Sequence, residues 1–177
     1  PTDDTAFELY KLFINKASND FKDLQITKES EFTTTENNLV RSGNDANVFE
    51  EGTYYRLAYI NYPKLLATKY TYYNYKHIDD IKNEIDFLHQ TYTNTKGKYK
   101  LFILGDSFQE NMSRFLYTNF YKIDKWRANF KEMFPIRNSN LDMEVFGPII
   151  LDFKPNILLI ILYQDNTDWL LDLYPTT

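Results

Sequence analysis

Apolar side chains recur at helical spacing in four stretches of the chain, and each stretch predicts a helix. These stretches are residues 5–22, 78–90, 108–118 and 141–153. The apolar face of the first comprises Phe7, Leu9, Tyr10, Phe13, Ile14 and Ala17, and that of the second comprises Ile78, Ile81, Ile85 and Leu88. The first stretch also opens on Thr5 with the Thr-x-x-Glu pattern of a capping box, which is typical of a helix N-terminus.

Continuous apolar runs predict strands in the second half of the chain. Residues 99–104 and 157–163 are rich in Ile and Leu, and a short strand is also predicted near residues 120–125. Because predicted helices separate these runs, we expect β-α-β units whose parallel strands are buried on both faces. Right-handed crossovers then bring the carboxyl ends of 99–104 and 157–163 to one edge of the sheet, where such folds bind ligands. The predicted fold class is α/β, with a parallel sheet flanked by helices.

The region between the first helix and these strands is predicted to be an irregular insertion that contains β-structure. Residues 27–52 are rich in Thr, Asn and Glu, and we expect mainly loop there. Residues 53–62 have β-type composition, residues 64–76 extend the same region, and residues 91–98 are predicted as loop. No repeat or linker divides the sequence, so we predict a single domain over 1–177. The sequence lacks an initiator Met and starts within a motif-like stretch, so we expect a domain excised from a longer protein.

Composition and charge narrow the possible chemistry. The net charge is −5 without a block of like charges, so no basic face for nucleic acid is indicated. The absence of Cys excludes disulfides and thiolate catalysis, and two His at unrelated positions indicate neither a metal site nor a cofactor. No run of about 18 apolar residues is present, so no membrane span is predicted.

Aromatic residues are frequent, with 15 Tyr and 14 Phe. An AT-rich genome would favour the codons for these residues, which is one explanation. The other is a Tyr-rich surface that binds sugars or peptides, because Tyr combines a flat apolar face with a hydroxyl group. The sequence leaves both explanations open.

A strand that ends abruptly before a helix marks the main candidate site. The junction reads Gly105-Asp106-Ser107-Phe108. A serine there is presented on a sharp turn at the carboxyl end of a strand, and Gly105 tolerates the backbone angles that such a turn requires. The backbone N–H of Ser107 at the start of a helix would help to stabilise an oxyanion. The competing interpretation is a helix cap, because Ser107 and Glu110 form a Ser-x-x-Glu capping box.

A serine nucleophile needs a base, and the chain offers two imidazoles. His89 falls late in a predicted helix and is most simply a surface or helix-end residue. His77 precedes that helix within a Tyr-rich segment. Neither has a carboxylate at a spacing that marks it as a catalytic base.

The order of motifs resembles the SGNH-type acetyltransferases of the alginate O-acetyltransferase family, including the related DHHW proteins. The resemblance rests on the strand that ends in Gly-Asp-Ser-Phe108, the helix after it, and the later run Phe153-Lys-Pro-Asn-Ile-Leu-Leu-Ile-Ile-Leu162. In that family an Asp-Thr-His motif lies upstream, ahead of a helix, and here Asp4-Thr-Ala6 matches its first two letters. The resemblance implies that Ser107 is the nucleophile, that Asp4 orients the base, and that position 6 holds the base.

The departure from the family pattern is Ala6, which removes the imidazole. Either this alanine is an engineered replacement of histidine, or the natural protein is degenerate and binds without turnover. The resemblance implies transfer of an acetyl group, through an acyl-serine, to a cell-surface polysaccharide or glycan. It also implies an acetyl donor delivered by a membrane acyltransferase partner and an extracytoplasmic location. The alternatives are a carbohydrate acetylesterase, in which water accepts the acetyl group, and a non-catalytic module that binds a glycan or a partner.

Further polar residues are candidates for oxyanion or substrate binding. Gly105 and Asp106 belong to the strand end itself. Asn44 lies in a Ser-Gly-Asn-Asp run, which is either an oxyanion-binding block or a common turn. Asp165, with Asn166 and Asp168, follows the strand 157–163 and would face Ser107 across one crevice, although helix capping explains these residues equally well.

Overall fold

The computed structural model contains two β-sheets and three helices within the residues that it describes. The described residues are 3–41, 48–50, 66–85, 89–106, 109–127 and 143–162. The helices are α1 (Asp3–Ala17), α2 (Gln109–Leu116) and α3 (Met143–Phe153). The strands are β1 (Phe32–Arg41), β2 (Val48–Glu50), β3 (Leu66–Tyr75), β4 (Ile81–Ile85), β5 (His89–Asn94), β6 (Lys100–Gly105), β7 (Lys122–Arg127) and β8 (Ile157–Ile161).

The larger sheet has the strand order β4-β5-β7-β6-β8 and is mixed. Strand β6 is parallel to both β7 and β8, and α2 and α3 lie in the connections, as β-α-β units require. Strands β4 and β5 pair antiparallel, because only three residues connect them, and β5 also pairs antiparallel with β7. The fold class α/β is confirmed, but the sheet is only partly parallel.

The carboxyl ends of the parallel strands meet at one edge of the sheet. Gly105 aligns with Arg127 of β7 and Ile161 of β8, so this expectation is confirmed. Asn156 fixes the register at the opposite edge. Its Oδ1 accepts the N–H of Lys100 at 2.8 Å, and its N–H donates to the Lys100 carbonyl at 2.9 Å.

Helices cover both faces of β6. On one face Leu101 and Ile103 pack in a cluster with residues of α1 and α2, and on the other Phe102 and Leu104 pack against α3. Strand β6 is therefore buried on both sides, as predicted. Strand β8 is not, because Leu158 is 45% exposed.

Aromatic rings join the smaller sheet to the larger one. The smaller sheet is antiparallel, with the order β2-β1-β3. The Phe7 ring of α1 lies 5.0 Å from the ring of Tyr73 on β3, 5.7 Å from that of Phe32 on β1 and 5.1 Å from that of Phe115 on α2. The two sheets therefore share one apolar cluster with α1 and α2.

The predicted helix over 78–90 is wrong. A short 3₁₀ turn, Ile78–Asp80, leads into β4, and β5 follows, so the predicted loop 91–98 is also wrong in its first half. The helical spacing of the Ile residues is misleading, because Ile78 is 49% exposed and only Ile81 among the described side chains of β4 is buried. The β-branched composition of the segment prevails over its apolar spacing.

Two further expectations near the start of the chain need correction. Residues 27–52 are not mainly loop, because β1 pairs with β3 along its whole length. Thr5 does not begin a capping box, because α1 begins at Asp3 and Thr5 lies inside it. The helix also ends at Ala17, five residues before its predicted end.

Some of the remaining predictions are confirmed, and others concern residues that the structure does not describe. The helices predicted over 108–118 and 141–153 and the strand within 64–76 are confirmed with small shifts of their ends. The region 53–62 lies outside the described residues. None of the described helices is long and apolar enough to cross a bilayer.

Candidate functional site

A tight connection between β6 and α2 forms the centre of the candidate site. The N–H of Asp106 donates to the Ile161 carbonyl at 3.2 Å, which extends the pairing of β6 with β8 by one residue. The N–H of Gln109 then donates to the Asp106 carbonyl, also at 3.2 Å. This bond spans Ser107 and Phe108, which themselves lie outside the described residues. The chain therefore passes from strand to helix within three residues, at the carboxyl edge of the parallel strands.

Gly105 is required at this edge of the sheet because the neighbouring strand leaves no space for a Cβ atom. A Cβ atom on Gly105 would lie 2.2 Å from the carbonyl oxygen of Ile161, far inside van der Waals contact. The φ angle of Gly105 is not in the left-handed region, so the sequence argument from unusual backbone angles does not apply. The glycine instead lets β8 approach the end of β6, which draws the two strand ends together beside the turn.

The side chain of Gln109 stabilises the turn through hydrogen bonds. The sequence analysis did not identify this residue. Its side chain is fully buried, and its Nε2 donates to the carbonyls of Gly105 and Trp126, both at 3.1 Å. These bonds tie the ends of β6 and β7 to the first residue of α2. The Gln109 Oε1 atom is buried and has no hydrogen-bond partner among the described residues. A glutamine directly after a strand-turn motif was the available signal.

A buried lysine anchors the first turn of α2. Lys125 of β7 is 2% exposed, and its Nζ donates to Glu110 Oε2 at 2.5 Å and to Ser113 Oγ at 3.3 Å. Burial lowers the pKa of Lys125, and the Glu110 carboxylate partly opposes that shift. The Glu110 side chain is thus directed to Lys125, while the capping-box interpretation of Ser107 stays a prediction, because Ser107 lies outside the described residues.

Helix α1 carries Asp4 and Ala6 and packs against α2. Phe7 contacts Phe115 with ring centroids 5.1 Å apart, and Phe13, two turns later, contacts Phe120 at 6.4 Å. Phe115 lies near the C-terminal end of α2 and Phe120 lies beyond it, so α1 packs along the last part of α2 and the turn that follows. Ala6 is fully buried in the apolar cluster, while only the backbone of Asp4 is described.

Both imidazoles have carboxylate partners that lie far away in the sequence. His77 Nε2 lies 3.1 Å from Glu31 Oε2, and both side chains are largely exposed. His89 contacts the buried Asp124 through Nε2 and stacks on Trp126, with ring centroids 4.1 Å apart. His89 therefore lies on β5 and not at a helix end. The sequence missed both pairs because strand pairing, not chain spacing, brings them together.

Several candidate residues stay as predictions. Ser107, Asn44 and Asp165, together with Asn166 and Asp168, lie outside the described residues. Asp106 is buried at the strand end. Among the described residues, no group of three or more His, Asp or Glu side chains has the arrangement of a metal site.

The fold and this strand-turn-helix junction define an α/β protein with a mixed central sheet. No family model matches the chain, and no curated protein matches it. Solved structures do resemble it. The structure of Bacillus cereus PatB1 with a sulfonyl adduct has a TM-score of 0.62 and 15% identity over 93% of this chain. A second PatB1 structure has a TM-score of 0.59 and 14% identity over 93% of this chain.

A third similar structure is that of a DHHW family protein from Eubacterium siraeum, with a TM-score of 0.53 and 14% identity over 91% of this chain. The chain spans 58%, 60% and 55% of the lengths of these three chains, which is less than two thirds of each. At these identities the similarity shows a shared fold.

Proposed function

We propose that this chain is an SGNH-type domain for serine-dependent acetyl transfer to a glycan, with Ser107 as the nucleophile. The observation that carries the proposal is the β6–α2 junction. At this junction, Gly105 lets the backbone of β8 approach the end of β6. A hydrogen bond from the Gln109 N–H to the Asp106 carbonyl closes the turn that contains Ser107. Such junctions present nucleophiles beside free N–H groups of a helix N-terminus.

The proposed reaction has two acyl-transfer steps. Ser107 Oγ attacks the carbonyl carbon of an acetyl ester while its proton passes to a base, and the donor oxygen leaves with that proton. A sugar hydroxyl then attacks the acetyl-serine, gives its proton to the base, and releases Ser107 with its proton restored. The backbone N–H of Ser107 stabilises the oxyanion in both steps.

Position 6 is the proposed place of the base, and Asp4 the residue that would orient it. The packing of α1 on α2, the helix that follows the Ser107 turn, supports this assignment. In this chain Ala6 supplies no proton acceptor, so we expect slow turnover. The sulfonyl adduct of PatB1 also supports the proposal, since sulfonyl reagents modify activated nucleophiles.

A glycan acceptor, a donor from a membrane acyltransferase and an extracytoplasmic location belong to the same proposal. They rest on the resemblance in motif order. The DHHW family protein and PatB1 share the fold, which is compatible with this assignment.

A second candidate function is a binding module without turnover. The complete burial of Ala6 among apolar side chains favours it, because an imidazole at this position would have to displace its neighbours. This candidate predicts that Ser107→Ala leaves binding intact. It also predicts that restoring histidine brings no activity.

Restoring the base tests the proposal. We expect Ala6→His to accelerate release of 4-nitrophenolate from 4-nitrophenyl acetate by about 100-fold or more, which is the typical contribution of a general base. The matched control is the double variant Ala6→His/Ser107→Ala, in which the gain should vanish. Equal rates for the two variants would contradict the proposal and favour the binding module.

Two further measurements complete the test. If thermal melting shows that Ala6→His does not fold, added imidazole should accelerate the reaction of the unaltered chain and not that of Ser107→Ala.

Mass spectrometry of the products with a trisaccharide present shows whether the sugar or water accepts the acetyl group. Acetylated sugar indicates a transferase, and acetate alone indicates the esterase.

A further inference from the structure

A pocket of 310 Å³ lies between the smaller sheet and α2, away from the β6–α2 junction. We call it the tyrosine pocket, and it is lined by Tyr73, Asn74, Tyr75, Ile78, Arg114 and Tyr117. Its volume is at the lower end of the roughly 300–1,000 Å³ that small-molecule sites occupy. The lining combines aromatic faces with a few polar groups, which is the usual composition of such sites.

The aromatic walls of the pocket are held in place by rings behind them. Tyr73 stacks on Phe7 with ring centroids 5.0 Å apart and lies 5.8 Å from Phe115. Tyr117 lies 5.4 Å from Tyr92. These contacts fix the ring orientations before any ligand arrives, so little conformational freedom is lost on binding.

Polar groups and charges around the pocket favour a neutral, hydroxyl-rich ligand. Burial raises the pKa of Tyr75, so its hydroxyl keeps its proton and can donate a hydrogen bond. Arg114 is the charged side chain among the described lining residues, and its Nη2 donates to Asn111 Oδ1 at 3.3 Å. Next to the pocket, Asp80 forms an ion pair with Lys96, and the Glu31 carboxylate lies 3.1 Å from His77 Nε2.

The rim of the pocket carries an apolar side chain whose exposure to water is unfavourable. Ile78 is 49% exposed beside the Tyr75 wall. A ligand with both apolar C–H faces and peripheral hydroxyls would cover Ile78, stack on tyrosine and satisfy the polar groups. A sugar ring has this combination, whereas a fully apolar or strongly charged ligand does not.

We propose that the tyrosine pocket binds a neutral sugar ring of a glycan. Its position suits an acceptor subsite, a role that rests on the proposed function. Helix α2 begins two residues after Ser107, and Arg114 lies five residues further along it, roughly 7.5 Å at 1.5 Å per residue. A short oligosaccharide can span this distance.

Nuclear magnetic resonance titration with the neutral trisaccharide chitotriose tests the pocket. We expect the largest shift changes of the unaltered chain at the amides of Tyr75, Arg114 and Tyr117. Arg114→Ala and Tyr117→Ala should each weaken binding at least tenfold. The matched control is Tyr121→Ala, which removes a 42% exposed tyrosine outside the pocket and should bind as the unaltered chain does.

Three outcomes would overturn the pocket assignment: no chitotriose binding, shift changes confined to other surfaces, or tighter binding of an anionic uronate trisaccharide. The titration of the unaltered chain requires no variant to fold. It also does not depend on Ser107. If chitotriose binds in the pocket while Ala6→His stays inactive, the proposed function is wrong and the pocket assignment stands. If Ala6→His and the double variant Ala6→His/Tyr117→Ala acetylate chitotriose equally well, the pocket assignment is wrong and the proposed function stands.

Discussion

Gly105 and Gln109 determine the shape of the candidate site at the scale of single residues. Gly105 leaves room for the Ile161 carbonyl, and Gln109 binds the carbonyls of Gly105 and Trp126. The sequence could identify Gly105 as special because it ends an apolar strand. It could not show the reason, since the neighbouring carbonyl comes from a strand more than fifty residues later.

Gly105→Ala should lower the free energy of unfolding by about 2 kcal/mol or more, because the new Cβ meets backbone that cannot rotate away. The control is Gly147→Ala in α3, where a Cβ would meet no atom of the described residues within 4 Å apart from its chain neighbours and the backbone of its own helix. For this control we expect the free energy of unfolding to change by less than about 1 kcal/mol. Alanine favours the helix more than glycine does, but its Cβ is crowded by the ring of Pro148, so the two effects offset each other. Urea denaturation measures both. Equal effects of the two substitutions would contradict the role assigned to Gly105.

At the scale of elements, the Lys125–Glu110 pair joins β7 to the first turn of α2. Its energetic role follows from the burial of one partner. Lys125 is 2% exposed, whereas Glu110 is 42% exposed, so most of the desolvation cost falls on the lysine. The pair therefore specifies where α2 begins more than it stabilises the fold.

Lys125→Met should be at least as stable as the unaltered chain at pH 7, because it removes a buried charge and leaves Glu110 in contact with water. The pKa of Lys125 is lower in the folded chain than its ordinary 10.5. The unfolded chain thus holds more protons between the folded pKa and 10.5, and stability rises with pH across that window. The advantage of Lys125→Met should accordingly shrink as the pH approaches 10.5.

Urea denaturation of both proteins at several pH values between 7 and 10.5 checks this. The comparison variant Glu110→Ala should instead be less stable at pH 7 by at least about 1 kcal/mol, because it leaves the buried lysine without its partner. A Lys125→Met protein that is clearly less stable than Glu110→Ala would contradict this account.

The elements that the sequence predicted correctly carry a clear apolar pattern that packs in the core. Strand β6 is an apolar run buried on both faces, and α2 and α3 each pack apolar residues in the clusters on either side of it. Strands β1 and β4 escaped prediction, because their described side chains are largely exposed and polar. Their strand structure comes from pairing with β3 and β5, which a local pattern does not reveal.

At the scale of the whole molecule, α1 connects the two sheets and links the two proposed sites. Its Phe7 packs on Tyr73, which lines the tyrosine pocket, while Ala6 precedes it in the same apolar cluster. The sequence could place Asp4 and Ala6 only through motif order. The packing of α1 on α2 depends on aromatic contacts over about a hundred residues, which no local pattern contains.

The most direct test of the central claim is covalent labelling of Ser107. We expect phenylmethylsulfonyl fluoride to modify Ala6→His at Ser107, with peptide mass spectrometry locating the adduct on that residue. The unaltered chain should react far more slowly, because Ala6 leaves Ser107 without a base. An Ala6→His protein that folds and yet gains no adduct at Ser107, or gains it no faster than the unaltered chain, would contradict the claim.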